Sequence, residues 1–170
     1  MSGSLLQLST KPPTPGEHGL PKRAVPALGI SATGAAGDYN HYRTRTLHGD
    51  PDQAILLITQ DLLGQLNAEG WPVEPGHLGE NLTLAGVPES ALRPGVRVQV
   101  GDVLLEVSKA CDPCTELYSL PYVGAHRGPA FLRTMAGRRG WYARVLLGGT
   151  IFLESPVSVE PEPSVRESLP

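Results

Sequence analysis

A chain of 170 residues with a net charge of −3 is long enough for one domain that buries roughly 70% of its unfolded surface, and it lacks the basic excess a nucleic-acid binder needs for phosphate contacts. Its 40% hydrophobic and 18% charged content suits a folded, modestly polar protein, and 20 glycines with 17 prolines in no short period point to many turns. No apolar run approaches the ~20 residues of a membrane helix, and the start "MSGSLLQLST" lacks the basic region and long apolar core of a secretory signal, so a cytoplasmic location is expected.

In chain order, Leu5 to Leu8 predicts a short strand, followed by a Pro- and Gly-rich surface loop over 11–24 and a returning strand in "VPALGI". Residues 31–52 form a long polar stretch carrying His41, Arg43, Arg45 and His48, a length of loop that is usually functional or disordered. "AILLI" (54–58) reads as a strand buried on both faces. Thr59 then caps a helix over "QDLLGQLNAE", with Leu62, Leu63 and Leu66 as its buried stripe and Gly70 as its stop. One continuous helix from Pro51 to Glu69 fits the same periodicity. Val96, Val98 and Val100 alternate with polar residues, and Gly101–Asp102 offers a turn into Val103–Val107. "GPAFLRTMAG" (128–137) predicts a short helix with Pro129 at its first position. "WYARVLLGGTIFLE" (141–154) predicts a hairpin turning at Gly148–Gly149. These elements describe one mainly β domain with two or three short α-helices, followed by a loose polar tail over 161–170.

The densest chemistry lies in "SKACDPCTELYSL" (108–120). A strand ending near Ala110 and a helix starting near Thr115 put Cys114 at a helix N-terminus, where exposed N–H groups favour a thiolate. Three readings compete. Cys111 and Cys114 are buried small residues, or a redox dithiol, or metal ligands; a closed zinc site needs four ligands, and no second C-x-x-C or paired histidines supply them. His18, His41, His77 and His126 read as surface residues, whereas His48, beside the "GDPD" turn, suits a pocket. Arg127, Arg133, Arg138 and Arg139 form a basic patch, read either as a solvated face or as an anion grip. Three glycines in "GHLGENLTLAGV" (76–87) surround Glu80 and Asn81 and give the backbone there unusual freedom.

Taken in order, "GLPK" (19–22), "GAAGDYN" (34–40), "HGDPDQA" (48–54), "EGWPVEPGHLGENLTLAGV" (69–87), "VQVGDVLLEVSKACDPC" (98–114) and "GWYARVLLGG" (140–149) resemble the MOSC domain, the molybdenum cofactor sulfurase C-terminal fold, in a free-standing bacterial-type form. The resemblance spans residues 4–160 and implies a β-barrel-like core and a bound molybdenum cofactor (Mo-molybdopterin) whose metal is ligated by Cys114. It further implies that Lys22, Asp38, Arg43, Arg45, Gly79 and Asn81 contact the cofactor, with Lys22, Arg43 and Arg45 toward its phosphate. His48 or Glu80 is the implied proton donor, and Glu80 and Asn81 alternatively hold their loop shut. The expected activity is reduction of a small N-hydroxylated or N-oxide substrate, with a separate electron-donor reductase and no nucleic-acid or membrane partner. The alternatives are a non-enzymatic carrier of the cofactor or of persulfide sulfur, and a zinc or dithiol module on Cys111 and Cys114. Many relatives carry Arg three residues before the motif cysteine. Cys111 stands there in this chain, so a fixed positive charge beside the centre is expected to be missing.

Overall fold

The computed structural model describes residues 1–12, 14–39 and 49–161. Seven strands close into a barrel: β1 (Ser2–Thr10), β5 (Ile55–Thr59), β6 (Leu82–Ala85), β7 (Arg97–Val100), β8 (Val103–Ala110), β9 (Trp141–Leu147) and β11 (Val157–Glu160). Around the barrel the order is β11-β7-β8-β9-β5-β6-β1, and β1 pairs back onto β11 through Ser2↔Ser158 and Gly3↔Val157. Every barrel pair is antiparallel except β5–β6, which needs a crossover and receives one from the helix Gln60–Ala68. The short β2 (Arg23–Ala24) extends β1, and β10 (Gly149–Phe152), β3 (Ala27–Ser31) and β4 (Gly34–Ala35) make a separate three-stranded sheet.

The strand alternation dictates the interior. Val98, Val100, Val103, Leu105 and Val107 point inward with Leu57, Leu82 and Leu84 to fill the barrel. A second apolar cluster, including Leu62, Leu66, Trp71, Leu117, Phe131 and Met135, lies under the helices. All five residues of β5 are buried, as a strand covered on both faces requires. The Thr59 side chain accepts from the Leu62 amide at 3.1 Å, so the strand-then-helix reading holds and the single long helix does not form. Gly101–Asp102 turns between β7 and β8 as expected.

Two expectations are corrected. Gly148–Gly149 is not a hairpin turn, because β9 pairs with β5 and β8 whereas β10 leaves the barrel to pair with β3. A Cβ on Gly148 would lie 2.6 Å from the Ile30 carbonyl oxygen, so glycine there serves a close crossing past β3. The second helix spans Gly124–Met135, starting before the predicted Gly128 and leaving Pro129 inside it. No side chain caps its start, which removes the usual sequence signal.

Candidate functional site

Beyond β8, the Cys111 amide donates to the Gly140 carbonyl at 2.9 Å, and the Cys111 side chain is buried. Cys114 is exposed and precedes a five-residue 3-10 turn, Thr115–Ser119. The turn lacks the length for a substantial helix dipole. The charge beside the sulfur comes instead from Arg139, whose Nη1 donates to Cys114 Sγ at 3.0 Å and to the Asp112 carbonyl at 3.2 Å, while Nη2 donates to the Leu78 carbonyl at 3.3 Å. Arg139 is only 8% exposed, and among the described residues it meets no carboxylate. Burial works against its charge, but the Cys111, Cys114 and Tyr142 groups outweigh that and hold the guanidinium above its ordinary range. Burial pushes the Cys111 thiol up, with Arg139 opposing it.

The fixed positive charge expected to be missing is therefore present, supplied from a position 25 residues after the sulfur. The anticipated basic patch is divided. Arg138 bonds the Glu69 carboxylate, Arg127 stacks 4.3 Å over the Trp71 ring, and Arg133 is exposed.

The glycine-rich loop packs against this centre. Gly76 and Gly79 have φ of +88° and +86°, a region L side chains rarely enter. A Cβ on Gly79 would lie 2.9 Å from Leu20 Cδ2 and 3.7 Å from Arg139 Nη2, so the bare backbone lets the loop lie close to the guanidinium. Glu80 is fully buried: Oε1 accepts from the Gly76 amide at 2.5 Å and from the Thr83 hydroxyl at 3.0 Å, and Oε2 has no partner among the described residues. Burial pushes this carboxyl up. Sealed there, Glu80 has no exposed route to a substrate, and the geometry favours the loop-holding alternative over proton donation.

On the loop's other side, Lys22 Nζ and Asp38 Oδ2 form an ion pair at 2.6 Å with side chains only 7% and 8% exposed. Asp38 also accepts from Asn81 Nδ2 at 2.8 Å and from the Lys11 amide at 2.9 Å, while Asn81 Oδ1 accepts from the Leu56 amide at 3.1 Å. Lys22, Asp38, Gly79 and Asn81 thus come together, lining a cavity of about 40 Å³ with Gln53 and Tyr142. The Lys22 charge is already matched by Asp38, which weakens its assignment to a phosphate. Gln53 was not anticipated. The only local sign was the Asp50–Pro51 start of the turn that carries it. Arg43, Arg45, His41 and His48 lie outside the described residues.

Among the described residues no three His, Cys, Asp or Glu side chains converge as a metal site. No helix among them is long and apolar enough to cross a membrane. Residues 44–159, which include the Pro-Cys segment and the glycine loop, match the MOSC domain family model. The chain belongs to the MOSC domain family. That family is related to the molybdenum cofactor.

Solved structures agree on the architecture of this MOSC domain. It matches the YuaD protein from Bacillus subtilis with a TM-score of 0.75 at 19% identity, over 94% of this chain and 96% of that one. YiiM from Geobacillus stearothermophilus gives 0.69 at 23% identity, over 94% and 75% of the two chains. YiiM from Escherichia coli gives 0.64 at 21%, over 95% and 70%. At these identities the likeness speaks for the fold. No curated protein matches the chain.

Proposed function

We propose that this MOSC domain binds a molybdenum cofactor through Cys114 and acts as an oxotransfer reductase of small N-hydroxylated compounds. The observation that carries the reading is the exposed Cys114 sulfur 3.0 Å from a buried guanidinium with no carboxylate of its own among the described residues. A buried cation demands an anion nearby, and a thiolate is both that anion and a soft metal ligand.

The residues fit the group in donor chemistry. Cys114 would ligate the metal. Gly79, with no side chain, keeps the loop against Leu20 and Arg139, while Asn81 and Asp38 stay locked to each other as a rigid edge. The cavity of about 40 Å³ is far smaller than the few hundred Å³ of a cofactor pocket, so the pterin would extend beyond it, toward the exposed Cys114. Arg43 and Arg45 are proposed for its phosphate and His48 for proton delivery. When bound, the group supplies a two-electron centre able to take oxygen from an N–OH nitrogen, and a separate reductase returns the electrons. The chain's own part is to hold the Cys114 sulfur through Arg139 and to fix the loop through Glu80. It also buries the Lys22 charge against Asp38, so that the cavity beside them stays polar but neutral.

A carrier role is the second reading, favoured by the exposure of Cys114, which leaves the sulfur open to a partner. Metal and pterin analysis of protein made in a host that synthesises the cofactor tests both. Wild type should carry stoichiometric molybdenum and reduce a hydroxylaminopurine with an electron donor; Cys114→Ser should lose both. Retention of both by the variant refutes the assignment, and bound molybdenum without turnover selects the carrier.

A further inference from the structure

Arg139 is held where its charge acts on one sulfur atom. Nη1 donates to Cys114 Sγ at 3.0 Å and to the Asp112 carbonyl at 3.2 Å, and Nη2 donates to the Leu78 carbonyl at 3.3 Å. Two backbone segments, the Pro-Cys turn and the glycine loop, therefore grip the fork that reaches the sulfur. Gly140 fixes the base of the side chain. Its φ is +90°, its carbonyl accepts from the Cys111 amide at 2.9 Å, and a Cβ there would collide with the Leu57 carbonyl oxygen. The contact is thus braced from the barrel wall.

Arg138, one residue earlier, is balanced in the ordinary way. It meets the Glu69 carboxylate at 2.5 Å, and that pair is partly open to water. Arg139 is only 8% exposed and bonds two neutral carbonyls and the Cys114 sulfur. With guanidinium and sulfur in direct contact, no water lies between them to screen the field. A guanidinium stays charged at every working pH, so that field is constant. When a sulfur serves as a metal ligand, a donor bonded to it draws electron density from the metal, and an added electron is then better accommodated.

We infer that Arg139 is a positioning residue for the metal centre: its charged N–H bond to Cys114 Sγ raises the reduction potential of a metal bound through that sulfur. The inference rests on the reading of Cys114 as the molybdenum ligand and adds how the chain sets the electron balance there. Control of the potential lies outside the Cys-Asp-Pro-Cys segment, 25 residues after the sulfur. The bias suits a reductase, which has to recover electrons from a donor in every cycle.

The test is potentiometric titration of molybdenum-loaded protein made in a host that synthesises the cofactor. Dithionite, itself oxidised to sulfite, supplies the electrons, and the one-electron-reduced state is followed by its paramagnetic resonance. Arg139→Gln keeps a neutral N–H and loses the charge, whereas Arg139→Met loses both. At a fixed solution potential, Arg139→Met should lower the ratio of reduced to oxidised centres about tenfold, which is about 59 mV for a one-electron couple. Arg139→Gln should fall between it and wild type. Arg138→Gln, which removes the neighbouring cation, should stay within about twofold of wild type, since its charge is already paired and partly screened.

Equal ratios in wild type and Arg139→Met would overturn the inference. So would a tenfold change in Arg138→Gln, which would show a general effect of charge. Failure of both Arg139 variants to yield molybdenum-loaded protein would make the residue structural and would overturn it too. None of these outcomes bears on the molybdenum content of Cys114→Ser. Metal retained by that variant rejects the reading of Cys114 as ligand, whereas an unmoved potential with metal still bound through Cys114 rejects only the role of Arg139.

Discussion

Two buried cations flank the same glycine loop, and they are balanced differently. Lys22 has a carboxylate at 2.6 Å, and that carboxylate is tied to a backbone amide and to Asn81, so the arrangement is complete without any ligand. Arg139 has backbone carbonyls and one exposed sulfur, with its Nε unpartnered among the described residues. Burial alone therefore does not mark a functional charge. What marks Arg139 is that the group able to balance it is reactive and faces outward.

The comparison can be broken at either end. The largest effect should come from Lys22→Met, which strands Asp38 in the interior. Breaking a buried pair from one side costs about 3–5 kcal/mol, readable by urea denaturation, and removing Asp38 in the same chain should return much of it. Arg139→Met should cost less, about 1–3 kcal/mol for the carbonyls left unpaired. It should also change the rate at which iodoacetamide alkylates Cys114, since the guanidinium that holds the sulfur at 3.0 Å is gone. Lys22→Met should leave that rate nearly unchanged; an equal effect of the two variants would erase the distinction drawn between them.

The smallest effect concerns the loop itself. The Glu80 carboxyl is raised by burial, so the folded state keeps its proton where the unfolded chain, near the ordinary value of 4.5, releases it. That contribution to stability is complete below the unfolded value and is lost as pH rises above it. Glu80→Gln, which cannot ionise, should flatten the decline of melting temperature between mildly acidic and neutral pH. An unchanged slope would show that Glu80 is not the group responsible.

The alternation of Val96 to Val107 and the Gly101–Asp102 turn made β7 and β8 legible, because a period of two and a tight turn are local properties. Thr59 was legible for the same reason, since its bond reaches only three residues along. The Arg139–Cys114 contact was not. It depends on the β8–β9 register, in which Ala110 lies opposite Trp141 and the Cys111 amide bonds Gly140, delivering Arg139 beside a distant cysteine. The Gly148–Gly149 crossing failed for a related reason: two adjacent glycines look the same whether the chain reverses or slips past another strand. Gln53 was beyond reach as well, because a place in a cavity wall is defined by surroundings and not by neighbours in sequence. Of the proposed site, the sequence pieces located Cys114, Gly79 and Asn81, and tertiary packing supplied what charges and surrounds them.

The pairing of Ser2 with Ser158 has a consequence for biogenesis. The cylinder is shut by β1 and β11, the first and last of its strands, so a growing polypeptide holds an unsealed, adhesive sheet margin until β11 has been made. Such long-range closure makes assembly slow, and the arrival of β11, more than any local segment, sets when the barrel becomes safe from sticking to its neighbours.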